Sequence, residues 1–437
     1  MATASTVQLG SADHPQFYRE GVSQAATSKV NELLQNNHEQ HHIFFNASGF
    51  HNHIAHHLLT TWSLKASPED LQRSYDTNKS YQRAARKPTT TIVEELHDPK
   101  KFISYLGPEK YYNDFLEFFR EEINKKGWQN VLQEYVFAGD ERAETMLVRM
   151  YAGFLHPIIH LGFGIEFQQP TIIAEALAQA ACHEDWIGNL FLPAEQAAQN
   201  YGNDKTIVKL LDEIHANKDI RESVKWSDGN KIRDGLLTRS PKPLVSLLSQ
   251  VHITPSTLSL KTAEMTNAAI YYTAAAQRPN KAVKVDFYFM HCVNASIFWP
   301  TFNRQTWLSE AMKVRLLEWK IRLDLAMYAS RKSPDIRLED IREYTPKKPS
   351  GWEEVFDRAC KFDDDGHASK LVRAVANGEK VCEPFAGEKG FRLEGKDWLQ
   401  IGHMVIDSVE LQGDTWLRSV GFDEAWKEVP ERKGARL

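Results

Sequence analysis

Apolar side chains in this chain recur every three or four residues far more often than every two. Over Glu109–Lys125 they fall at Tyr112, Phe115, Leu116, Phe119 and Ile123, a spacing near 3.6 that predicts an amphipathic helix. The same pattern runs over Glu144–Leu161 through Met146, Leu147, Met150, Tyr151 and Phe154, and predicts another. Pro170 precedes the Ala-, Leu- and Glu-rich stretch Thr171–Leu190 and marks a helix start, because proline suits the first turn. Leu258–Ala276 predicts a helix rich in Ala and Thr, and Ser309–Arg331 a long amphipathic one with its charges on one face. Gly366–Ala376 and Asp397–Leu411 read as shorter helices. Alternating runs bounded by turn dipeptides are almost absent. The expected fold is mainly α, one compact multi-helical domain over residues 1–437, with two helical subdomains around a central site as the alternative. Breaks are expected at Lys87–Thr91, Lys218–Asn230 and Arg342–Gly351.

Composition narrows the function. The net charge of −5 and the lack of a basic stripe argue against a nucleic-acid partner. Met1–Gly10 is small and polar, with no basic stretch leading into an apolar core, so no signal peptide is expected. No apolar run reaches membrane-spanning length; the nearest, Tyr151–Phe167, carries His156, His160 and Glu166. Cys182, Cys292, Cys360 and Cys382 form no CxxC pair, which fits free thiols in a reducing compartment. A cytoplasmic location is expected, as a monomer or homodimer.

The histidines are unevenly spread. Eight of 17 lie in the first 57 residues, four of them in Phe50-His51-Asn52-His53-Ile54-Ala55-His56-His57. On a helix His53 would face with His56 and His57, and two imidazoles on one face are half of a transition-metal site. By itself this stretch is equally well read as capping and surface imidazoles. His156 and His160 stand four apart in a strongly apolar segment, where burying imidazoles is costly unless each finds a partner. Glu166 follows as a ligand, an acceptor for an imidazole N–H, or a helix-end partner. His291 sits among aromatic and apolar residues. Asp363-Asp364-Asp365 reads as a helix N-cap, after which His367 and Lys370 share a helix face. The chain has no GxGxxG, Walker A, GxSxG or HExxH motif, and Cys182-His183 is a weak nucleophile pair because neighbours in sequence do not face each other on a helix.

Taken together, these segments resemble the questin oxidase-like family of fungal secondary metabolism. The resemblance rests on Gly49–His53 with His56, on Gly153–Pro170 (GFLHPIIHLGFGIEFQQP), and on Glu175–Ala181 with His183. Asp365–Lys370 and Gly421–Pro430 extend it over nearly the whole chain. It implies oxidative ring cleavage of anthraquinone or xanthone-precursor polyketides, described for the family as Baeyer-Villiger-type chemistry, sometimes with NADPH.

Triplet dioxygen needs a one-electron donor to attack an aromatic ring. A site of histidines without thiolates fits Fe(II), with Mn, Zn or Cu as competitors. The expected ligands are His56 (or His53), His160 (or His156), His291 and His367. The anionic ligand is either Lys370 as a carbamate formed with carbon dioxide, or Glu166. A salt bridge from Lys370 to an aspartate is the rival to the carbamate. His53, His156 and His183 are expected to take the phenol proton of the aromatic polyketide substrate where they do not ligate. Dioxygen is the co-substrate. A metal-free, NADPH-dependent Baeyer-Villiger-type monooxygenase is the alternative, and a helical scaffold whose histidines are structural ranks last.

Overall fold

The structure, a computed structural model, describes residues 1–198 and 205–432. They fall into two compact units. The first takes in Met1–Ile187, Thr301–Leu308 and Cys360–Lys370; the second takes in Gly188–Pro300, Ser309–Ala359 and the chain from Leu371 onward.

Seven of the ten α-helices described within Met1–Ile187 frame the first unit's histidine segments. α1 (Gln24–Gln40) starts at Ser23, whose hydroxyl accepts from the Ala26 N–H. α2 (Ile54–Ser63) is buried along its whole length. α3 (Pro68–Lys79) opens with a capping box between Ser67 and Asp70 and a proline in its first turn, which together satisfy orphan amides at the helix start. α4 (Tyr112–Lys126) buries Phe115, Leu116, Phe119 and Ile123, the stripe expected from the sequence, and Phe102 meets Phe115 and Phe119 edge-on. α5 (Glu141–Met150) is capped by Asp140; α6 (Ala152–Glu166) and α7 (Pro170–Ala181) follow. α2 packs on α1 and α3 and touches α6, while α7 packs on α6 and α4.

The continuous helix expected over Glu144–Leu161 is broken. Gly153, Phe154 and Leu155 have φ of 53°, 55° and 70°, so the chain leaves the right-handed region before it restarts at His156. Pro157 then stands in the first turn of the restarted helix, the one place where its missing N–H costs no intrahelical bond. The helix expected over Thr171–Leu190 likewise ends at Ala181, and a separate one covers Gly188–Ala198.

In the second unit α8 (Leu258–Ala275), α9 (Phe287–Ser296) and α10 (Glu310–Ser330) pack on one another. The sequence predicts an amphipathic α10 with its charges on one face, but Lys320, Arg322 and Asp324 are buried. They pair along the helix, Lys320 with Asp324 and Arg322 with Glu318, so the charges go into the interior compensated. α11 (His367–Cys382) is longer than expected; only its first turn belongs to the first unit. α12 spans Asp397–Val409. Among the described residues no strand forms, only isolated bridges such as Phe44 with His51. No helix among them is long and apolar enough to cross a membrane.

Gly366 joins α2 to the start of α11. Its φ is +87°, and a Cβ there would lie 2.6 Å from the His57 Cβ. Gly366→Ala combines left-handed strain with a clash against a packed helix. It is expected to lower stability by about 2–4 kcal/mol, read as a fall in thermal midpoint. An unchanged midpoint would contradict this packing.

Candidate functional site

Three short segments of the first unit bring histidines together. The first is the loop before α2. The Phe45 N–H donates to the Phe50 carbonyl (2.8 Å) and the Asn52 N–H to the Ile43 carbonyl (2.7 Å), which folds residues 43–52 back on themselves. The Asn52 side chain donates to Asn37 on α1 (2.8 Å) and accepts from the Ile54 N–H (2.9 Å). His53 is thereby fixed at the helix N-cap, with His56 and His57 in the first turn.

The second segment is the left-handed stretch before His156. It aims the Gly153 carbonyl at His156 Nδ1, 2.5 Å away. Only glycine fits at 153: φ is +53°, and a Cβ would lie 2.6 Å from His183 Cε1 and 3.0 Å from His51 Cε1. The third segment is the start of α11. Asp364 caps it, accepting from the Gly366 N–H (2.7 Å) and the Ala368 N–H (2.9 Å). Asp365 does not cap. Its two oxygens reach His53 Nδ1 (2.8 Å) and His367 Nδ1 (2.5 Å).

The proton positions follow from these partners. A carboxylate and a carbonyl only accept, so His53, His156 and His367 each donate through Nδ1–H. In a neutral imidazole that leaves the lone pair on Nε2. The Nε2 atoms of His53 and His156 are 2.8 Å apart, and one donor atom from each of His53, His156 and His367 lies within 4.8 Å of the others. All three side chains are buried. Burial and the neighbouring Lys370 push His53 down to about 3, against the pull of Asp365, and burial lowers His367 as well. Asp365 is held well below the usual carboxylate range: burial alone would raise it, but His367 and His53 outweigh that. Two lone pairs facing each other at this distance repel unless a proton or a metal ion lies between them. Two nitrogens at right angles on an ion with bonds of about 2.1 Å would stand about 3 Å apart. The residues therefore fit a metal ion, with Asp365 and the Gly153 carbonyl orienting its imidazoles from behind.

A second chain of imidazoles runs beside the first. His56 Nε2 is 2.9 Å from His160 Nδ1, His160 Nε2 is 2.8 Å from Glu175 Oε2, and Glu175 Oε1 is 2.6 Å from His38 Nδ1. His56 also stacks on Phe163, with ring centroids 4.8 Å apart. Both ring nitrogens of His160 are thus engaged, which places it behind His56 instead of in the converging group where it was expected. His56 Nδ1 is buried and has no hydrogen-bond partner. His51 Nε2 lies 2.8 Å from His183 Nε2, and the His51 ring stacks on His156 with centroids 3.9 Å apart.

The other expected residues are distributed as follows. Glu166 is buried at the end of α6 and accepts from the Gln16 N–H at 2.7 Å, so the carboxylate against His53 and His367 is Asp365 instead. Lys370 is buried one turn after His367, and burial pushes its amine down to about 8. His291 lies on α9 of the second unit, its Nδ1 donating to the Phe287 carbonyl at 2.6 Å. No role for Glu175, His38 or His51 follows from the sequence, although a single carboxylate in the apolar run Ile172–Ala181 is a signal in retrospect.

Burial would raise the Glu175 carboxyl, but the hydrogen bonds from His160 and His38 hold it down at about 2, against an ordinary 4.5. As pH falls through 4.5 the unfolded chain takes up this proton first, so stability drops between about pH 4.5 and 2. Glu175→Gln should show a shallower loss of unfolding free energy over that window in denaturant titrations. Equal slopes for both proteins would contradict the assignment.

Known proteins resemble this chain over most of its length. A family model described as Questin oxidase-like matches residues 50–375. A Baeyer-Villiger monooxygenase of Cryptosporiopsis sp. is 42% identical over 416 residues, covering 92% of this chain and 93% of its own. A Baeyer-Villiger oxidase of Pestalotiopsis fici is 40% identical over 411 residues, with 92% and 93% covered. The questin oxidase of Aspergillus terreus is 37% identical over 443 residues, with 98% of each chain covered.

Proposed function

The chain belongs to the questin oxidase-like family, and from that premise we propose that it is a metal-dependent oxidoreductase that uses dioxygen to cleave a ring C–C bond of an anthraquinone-type polyketide. One observation carries the metal reading: the Nε2 lone pairs of His53 and His156 face each other at 2.8 Å while their Nδ1–H groups are held by Asp365 and the Gly153 carbonyl. His53, His156 and His367 are the imidazole ligands this favours, with His56 Nδ1 as a fourth donor. An N-only site without thiolates suits Fe(II), with Mn, Zn and Cu as competitors. Lys370 is the proposed anionic ligand, as the carbamate formed when its neutral amine adds carbon dioxide and releases a proton. Its burial and its place one turn after His367 support that role. When bound, a redox metal supplies the single electrons that triplet dioxygen needs to react with a closed-shell ring.

The chain's own residues bind and orient the substrate. Phe45, Phe50 and Tyr81 form an aromatic group, with Phe45 at 5.9 Å from Phe50 and 5.0 Å from Tyr81 between centroids. Phe50 and Tyr81 are large apolar side chains left exposed. Phe50 directly precedes His51, whose ring stacks on His156, so this group adjoins the histidines. A planar polycyclic substrate is seated by stacking there. Phe50→Ala is expected to raise KM about tenfold, with a smaller fall in kcat; an unchanged KM would move the seat elsewhere. His183, paired with His51, is the remaining candidate for taking the phenol proton.

The test is single-turnover cleavage by Fe(II)-loaded protein, with dioxygen and without NADPH, of the anthrahydroquinone form of a hydroxyanthraquinone, whose two extra electrons and protons balance the insertion of both oxygen atoms into an acid product. Cleavage without NADPH supports a dioxygenase. The relatives named Baeyer-Villiger monooxygenases favour a second reading, in which a reductant such as NADPH supplies the two electrons that take the second oxygen atom to water. Strict NADPH dependence in metal-stripped protein would select it.

A further inference from the structure

The row His56–His160–Glu175–His38 has only one consistent proton arrangement when its imidazoles are neutral. Glu175 is a carboxylate and can only accept. His160 must therefore present Nε2–H to Glu175 Oε2, at 2.8 Å, and His38 must present Nδ1–H to Oε1, at 2.6 Å. With its proton on Nε2, His160 offers a lone pair at Nδ1. His56 must then donate Nε2–H across 2.9 Å, which leaves its own lone pair on Nδ1. That atom is buried and meets no hydrogen-bond donor. The His56 ring lies 5.7 Å from the His53 ring, centroid to centroid, one helical turn along α2. Glu175 is two imidazoles away from the lone pair it determines.

We propose that Glu175, acting through His160, is a positioning residue that fixes His56 in the Nε2–H tautomer and so presents Nδ1 as a metal donor. The proposal rests on the metal reading above. It assigns a purpose to a buried carboxylate that touches no member of the converging group. A reversed proton on His160 would reverse His56 as well, and would put an N–H on the Nδ1 atom proposed as the donor. His38 completes the arrangement by occupying the second oxygen of Glu175, so that the carboxylate has no other imidazole to bind.

Two measurements test it. In metal-free wild-type protein with 15N-labelled histidine, long-range 1H–15N correlation reads each tautomer, and the His56 signal is identified by its loss in His56→Ala. A proton on Nε2 and none on Nδ1 is the expected result; a proton on Nδ1 overturns the proposal. In the second measurement, Co(II) affinity is read by competition with a chelating dye. Glu175→Leu, which removes the acceptor at similar volume, is expected to bind Co(II) about 10–100-fold more weakly than wild type. Folded Glu175→Leu protein that binds within twofold of wild type overturns the proposal while leaving the metal reading intact. Wild-type protein that binds no Co(II) overturns the metal reading and the proposal with it. Should Glu175→Leu fail to fold, the wild-type tautomer decides alone.

Discussion

Replacing His156 or His367 with alanine is expected to remove the bound metal and to lower turnover by on the order of a thousandfold or more. A metal ion contributes several kcal/mol of charge stabilisation to an oxygen-activating reaction, and each 1.4 kcal/mol is a factor of ten in rate. The two residues come from different segments, yet their donor atoms lie within 4.8 Å of each other and of His53. Each is oriented through Nδ1 by an acceptor, the Gly153 carbonyl for His156 and Asp365 for His367. Alanine leaves both backbones undisturbed, so the proteins should stay folded, which a thermal melt checks. The surface variant His14→Ala is the control and should keep its metal. Metal content by elemental analysis and turnover on one preparation decide the matter. Retained metal in either variant would mean that the converging group is not the ligand set.

Asp365→Asn is expected to weaken metal binding by about 10–100-fold although Asp365 donates nothing to the ion. The reason is proton bookkeeping on two imidazoles at once. The carboxylate accepts Nδ1–H from His53 with one oxygen and from His367 with the other. An amide of the same shape has one acceptor and one donor end. Whichever imidazole faces the NH2 group must turn its proton to Nε2, where a ligand lone pair is required. The charge lost also removes a partner that offsets burial and Lys370 at His53. Competition with a chelating dye reads the affinity. Wild-type affinity in Asp365→Asn would show that these ligands are oriented by packing alone.

Much of this architecture was legible in the sequence. The 3.6-residue period over α4 placed Phe115, Leu116, Phe119 and Ile123 inside, where they are found. Four separated histidine segments were visible because imidazoles are expensive in apolar surroundings, and three of those segments, around His53, His156 and His367, do converge. The break at Gly153–Leu155 is not readable from the sequence, because the close approach of His183 and His51 that only a glycine at 153 admits is a tertiary contact no local pattern shows. Pro157 was the available clue, since a proline in an unbroken helix interior would be disruptive. The roles within the aspartate run were also hidden. Asp364 and Asp365 look alike as cap residues, and only the turn of the chain gives one to the backbone and the other to the histidines. Sequence proximity favoured Glu166 as the acid near His160, whereas one further helix brings Glu175 there instead.

If His53, His156 and His367 hold a metal ion, anomalous X-ray diffraction from crystals of protein purified without chelators will locate it. Data collected on either side of the iron edge are predicted to show one strong peak bonded to Nε2 of all three histidines. Active crystals with no peak there, or with a peak remote from these nitrogens, would contradict the account.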